Sequence, residues 1–167
     1  MTSRLLVDKI ESKSGSQVDL STHTLKMPAG HVMQTIEGSI LTRTATSSTS
    51  FVTSGLEATI TPASTSNKVL ISVAVNGVYS PETDYVVLHI YKNDSNHHSF
   101  STNVGQNGEN DSNSVVHFYL DSPATTSATK YTVYYRSGAG GGIHLNNYGI
   151  GGNGSTRSTI LLQEIAG

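Results

Sequence analysis

The stretch that most constrains this chain runs from Val115 to Arg136, VVHFYLDSPATTSATKYTVYYR, where two runs of β-branched, aromatic and Leu residues flank a link of Asp, Ser, Pro, Ala and Thr. Runs of that composition favour strands, and Asp121, Ser122 and Pro123 stop the first one. Side chains alternate along a strand, so Val116, Phe118 and Leu120 share one face and Val115, His117 and Tyr119 the other. Beyond the link, Tyr131, Val133 and Tyr135 alternate with Thr132, Tyr134 and Arg136. The two runs read as an antiparallel pair. Both faces carry apolar bulk, whereas an antiparallel sheet in a small monomer shows one face to water. A further copy of the same chain is the simplest cover for the second face. The expected subunit interface is Tyr119 and Tyr134, or the opposite face of the same strands, in a homotrimer.

At 167 residues the chain has room for one domain with a real core plus an appendage. Ser and Thr fill roughly a quarter of it, a profile of many short strands separated by polar turns. The net charge of -2 and the lack of any Lys/Arg cluster give no footprint for nucleic acid. With no cysteine, disulfides and thiolate metal sites are excluded. The first residues, MTSRLLVDKIESKSG, lack the apolar core of a signal peptide, and no apolar run approaches the roughly 20 residues of a membrane span. The expectation is synthesis in a cytoplasm with no membrane insertion.

Residues 1–28 differ from the rest. Their apolar groups, Leu5, Leu6, Val7 and Ile10 foremost, are too brief and scattered to build a core, and they read as an anchoring arm. Residues 29–167 read as an all-β domain, an antiparallel jelly roll or β-sandwich of about eight strands. Its first strand region is HVMQTIEGSIL, entered through the turn at Pro28, Ala29 and Gly30. TRTATSSTS follows as an exposed strand or loop. Phe51 to Pro62 places Leu56, Ala58 and Ile60 opposite Glu57 and Thr59, KVLISVAV is apolar enough to be central, and YVVLHIYK sets Val86, Leu88 and Ile90 against Tyr85, Val87, His89 and Tyr91. The stretches 93–114 and 138–154 read as long exposed loops, and RSTILLQEI closes the chain as a strand.

Little of this points to chemistry. Gly149 to Gly154 satisfies G-x-G-x-x-G, but a strand follows it where a dinucleotide site needs a helix N-terminus. Among the seven histidines, His97 and His98, with His89 and Asp94 nearby, form the best cluster, yet KNDSNHHS reads as a solvated turn and no metal or other cofactor is expected. The acidic segment from Asn107 to Asn113 lacks the spacing of a calcium loop. There is no nucleophile elbow and no catalytic carboxylate pair, so the chain is expected not to be an enzyme. His144, Asn147 and Tyr148, on a Gly- and Asn-rich excursion, are the candidate ligand contacts, because hydroxyl-bonding groups beside an aromatic ring suit a sugar or a protein partner.

Four segments in order, LKMPAGHVMQTIEG at 25–38, Phe51 to Pro62, FYLDSPATTSATKYTVYYR at 118–136 and the closing STILLQEI, resemble a family of virion structural proteins of tailed bacteriophages, often labelled tail fibre or fibre-like. The opening LLVDKIESKSG is similar to the starts of such proteins. The resemblance implies a trimerising β-sandwich on the virion surface, tethered to other virion proteins of the capsid or tail through residues 1–28. It leaves open a short trimeric fibre, a capsid-decoration protein, or a tail-fibre tip that binds a host surface glycan.

Overall fold

Alternation of inward apolar and outward polar residues sets the architecture. The computed structural model describes residues 27–81, 83–104, 113–148 and 154–167, which form strands and no helix. The strands are β1 (Val32–Ile40), β2 (Thr44–Thr46), β3 (Val52–Ile60), β4 (Lys68–Val78), β5 (Val86–Lys92), β6 (Ser95–Val104), β7 (Asn113–Asp121), β8 (Thr129–Ser137), β9 (Ile143–Leu145), β10 (Asn147–Tyr148), β11 (Gly154–Ser155) and β12 (Ser158–Ile165). The residues expected to form the anchor, Leu5, Leu6, Val7 and Ile10, lie outside the described residues.

The eight long strands pair first with last, second with seventh, third with sixth and fourth with fifth: β1 with β12, β3 with β8, β4 with β7 and β5 with β6, all antiparallel. Wrapping that ribbon brings β12 beside β4 and β8 beside β5, giving two four-stranded sheets, β1-β12-β4-β7 and β3-β8-β5-β6. This is the jelly-roll topology. The inner faces cover each other with Leu56 and Ile60 of β3, Ile71 and Val73 of β4, Leu88 and Ile90 of β5, Tyr131 and Val133 of β8 and Ile160 and Leu162 of β12, all at 1% exposure or less. On the side where β1 lies over β3, Gly38 permits the approach, since a Cβ there would collide with the Glu57 carbonyl.

Val115 to Arg136 does not form the antiparallel pair that its composition suggests. β7 belongs to one sheet and β8 to the other, and the link from Ser122 to Ala128 crosses between them. The ribbon pairing gives each strand a partner distant in sequence, which strand composition does not reveal.

The presumed loop at 93–114 is in good part strand β6, joined to β5 by a two-residue turn at Asn93 and Asp94, whose φ values are +48° and +62°. Both turn residues in the left-handed region mark a type I′ hairpin, which Asn and Asp tolerate. The excursion at 138–154 likewise contributes β9, with Ile143 and Leu145 buried in the core, and the short pair β10 and β11. Leu88→Ala is expected to cost about 2–5 kcal/mol, and Thr59→Ala, at an exposed position of β3, less than about 0.5 kcal/mol. Urea unfolding of the two variants checks this.

Candidate functional site

Among the described residues, the outer face of the β1-β12-β4-β7 sheet carries a row of exposed large apolar side chains. Along edge strand β7, Val116, Phe118 and Leu120 point outward at 60%, 66% and 48% exposure. Their cross-strand neighbours are Ala74, Ser72 and Leu70 on β4, and beyond these stand Thr159, Leu161 and Gln163 on β12. None of these nine side chains is charged. Large residues on β7 beside small ones on β4 leave a shallow groove of about 250 Å³, lined by Ser72, Ala74, Val116, Phe118, Thr159 and Leu161. The polarity returns at β1, where Glu37 pairs with Leu161.

The outer face of the other sheet is mixed. Tyr91 and Tyr134 stack at 3.8 Å between centroids and 15° between planes, Phe51 lies 4.2 Å from His89, and the Arg136 guanidinium sits 5.4 Å over the Phe51 ring. The Tyr134 hydroxyl points to Asp94. Tyr119 and Tyr134 therefore do not share a surface. Tyr119 is half-buried on the inner side of β7, its ring 4.0 Å from His98, whereas Tyr134 faces outward on the opposite sheet. An interface at these two tyrosines would have to draw on both sheets, because β7 and β8 lie in different ones. The alternative face, Val116, Phe118 and Leu120, is the exposed one.

The three candidate ligand contacts are placed unequally. Asn147 is buried at 7% exposure, its backbone tight against Gly77 of β4, and does not offer the exposed contact expected of it. The side chain of Tyr148 lies outside the described residues. His144 is half-buried, its backbone paired with Tyr79 and its ring stacked on the Tyr79 ring at 5.5 Å. Nη2 of Arg43 is 3.1 Å from both of its ring nitrogens, one of which accepts a hydrogen bond. Burial, and then the Arg43 charge, hold the imidazole below its ordinary range. His144 is thus a neutral ring clamped between two neighbours.

The buried carboxylates serve the fold. Glu164, on the inner row of β12, accepts from Gln34 Nε2 at 2.6 Å, the Ala63 amide at 2.6 Å and Asn67 Nδ2. Asp84 accepts from Ser137 and from the Tyr85 and Ala139 amides at 2.7 Å. Asp121, at the end of β7, receives Lys92 Nζ at 2.8 Å, His97 Nε2 at 3.1 Å and the Tyr131 hydroxyl. Burial pushes each of these carboxyls up, but the donated hydrogen bonds outweigh it and hold all three below the usual range. Every one is spent on a loop or a neighbouring strand.

Among the described residues no three His, Asp or Glu side chains converge as metal ligands, and no helix is long and apolar enough to cross a membrane. No family model matches the chain, and no curated protein matches its sequence. Among solved structures, the crystal structure of infectious bursal disease virus VP2 subviral particle is similar at a TM-score of 0.46 and 10% identity, over 89% of this chain and 41% of that one. The chain thus spans less than half the length of that protein.

Carboxyls lowered by folding stabilise the native state above their unfolded values of 3.8 and 4.5, and that stability is lost as pH falls through the folded values. His98, His117 and His144, also lowered, are neutral in the fold and bind protons first in the unfolded chain below 6.5. The urea midpoint is therefore expected to fall in two steps on acidification, one below 6.5 and a second below 4.5. Glu164→Gln should shrink the second step and leave the first, as unfolding at a series of pH values would show.

Proposed function

We propose that this chain is a non-enzymatic structural protein of a tailed-phage virion, a short homotrimeric fibre or capsid-decoration protein anchored to the particle by residues 1–28. One observation carries the assembly half of this reading: Val116, Phe118 and Leu120 stand outward beside a groove on an uncharged sheet face. A knob next to a hole on the same face suits packing between identical copies. Covering three half-exposed apolar side chains supplies about 3 kcal/mol per protomer, enough for the centre of an interface though not for its whole. The threefold count and the virion come from the resemblance of the four sequence segments. Among the described residues, the structural use of each buried carboxylate supports a chain without catalysis.

A second reading, a tip that binds host glycan, is favoured by the half-exposed rings of Phe51, Tyr91 and Tyr134 beside Arg136 and Asp94, since aromatic faces flanked by hydrogen-bonding groups suit sugars. His144 with Arg43 offers a smaller polar contact at another position. A glycan array probed with the wild type and with Tyr134→Ala decides between a binding and a purely structural surface. Imaging of labelled virions separates a capsid-wide decoration from a tail fibre.

Light scattering of the full chain should give a particle of three 17.7 kDa protomers. Phe118→Asp should yield a folded monomer, with an unchanged far-ultraviolet circular dichroism spectrum. A wild-type monomer at micromolar concentration contradicts the proposal. Removal of residues 1–28 should leave the sandwich folded and prevent incorporation into particles, read by circular dichroism and by protein content of purified virions.

A further inference from the structure

Edge strands β6 and β7 close one side of the sandwich, and side-chain rings join them. His98 on β6 and His117 on β7 approach with their Nε2 atoms 3.1 Å apart. His98 lies against Tyr119 at 4.0 Å and 14°, and His117 against Phe100 at 5.1 Å and 22°, so each imidazole is held by an aromatic neighbour. Both histidines are half-buried, leaving one side open to water. The adjacent histidines have partners of their own: His97 Nε2 meets Asp121, and His89 Nδ1 meets Asn96.

We propose that Nε2 of His98 and Nε2 of His117 together bind one divalent first-row transition ion of the zinc, nickel or copper type, with water completing its shell. Two nitrogens about 2.05 Å from a common ion lie about 2.9 Å apart at a right angle and about 3.3 Å apart at the tetrahedral angle. The observed separation falls between these limits. Imidazole donors select zinc, copper and nickel over magnesium and calcium, which take oxygen ligands. Burial, with the charge of neighbouring histidines, keeps both rings below the ordinary imidazole range, so both are neutral at neutral pH and each has one unprotonated nitrogen. Without an ion, one Nε2–H donates to the other ring. On binding, the donor ring moves its proton to Nδ1, and the pair loses no proton overall. The ion would pin β6 to β7, edge strands of different sheets that no ladder joins.

The test is calorimetric titration of the full, untagged chain with zinc chloride and with nickel chloride. The expected result is one ion per chain with a dissociation constant on the order of 1–100 μM, half the protein ligands of a structural zinc site giving roughly half its binding energy. His98→Ala and His117→Ala should each weaken it by about tenfold or more, and the exposed His31→Ala should not. Long-range proton–nitrogen spectra of the wild type should show Nε2 of two histidines shifting with zinc, a readout that stands even if an alanine variant fails to fold. Equal binding by wild type and His117→Ala, no binding up to about 1 mM, or unshifted Nε2 signals of these two rings would overturn the proposal and leave a direct hydrogen bond between neutral imidazoles.

Discussion

A sandwich has one interior, and the period of two along a strand assigns every residue either to it or to the outside. In this chain the interior is filled by inward rows of β3, β4, β5, β8 and β12, with Leu56, Ile71, Leu88, Val133 and Ile160 among residues buried to 1% exposure or less. That rule fixes what happens on β7. Val115, His117 and Tyr119 take the inner side, so Val116, Phe118 and Leu120 must face away from anything the two sheets can supply. A shift by one residue would bury the second set and expose the first, but Asp121 is held at the strand end by Lys92, His97 and Tyr131, and the register against β4 runs unbroken from Val69 to Val75. The outward apolar row follows from that register.

Much of the fold was legible because the strong strands declare themselves. Leu56, Ala58 and Ile60 against Glu57 and Thr59 is a period-two pattern with one possible meaning, and all three apolar residues are buried. What sequence reading missed were strands with weak apolar signal. β6 reads SNHHSFSTNV, polar because it is an edge strand, and its clearest marker was the Asn93-Asp94 turn, a recognised two-residue hairpin connection. β9 has only Ile143 and Leu145 flanking a histidine within a Gly-rich segment, too short to register against its surroundings. Pairing was least legible of all. Composition identifies β7 and β8 as strands but cannot say that each joins a strand from a distant part of the chain, and proximity in sequence favoured the wrong partner.

The candidate site was legible to a similar degree. That one face of β7 would lie uncovered followed from two apolar rows on one strand, but which row had to wait for the sheet assignment. The two tyrosines named as interface residues lie apart because their strands part company: Tyr119 turns to the histidines of β6, and Tyr134 stacks on Tyr91. Asn147 was read as a loop residue, and it lies buried in β10 with its backbone against Gly77 of β4. Glu164 was invisible as a structural group, since a carboxylate inside an apolar closing strand makes sense only once Gln34, Ala63 and Asn67 are seen converging on it.

The central claim is that the outward row of β7 is covered by a copy of the chain. Hydroxyl-radical footprinting of the intact protein at micromolar concentration reads that burial side chain by side chain. Phe118 should be oxidised as slowly as the buried Tyr131 in the assembled protein and several times faster after dilution below the association limit. Rapid oxidation of Phe118 at every concentration, with Tyr131 protected, would mean that the sheet face stays open to water and that this chain does not assemble through it.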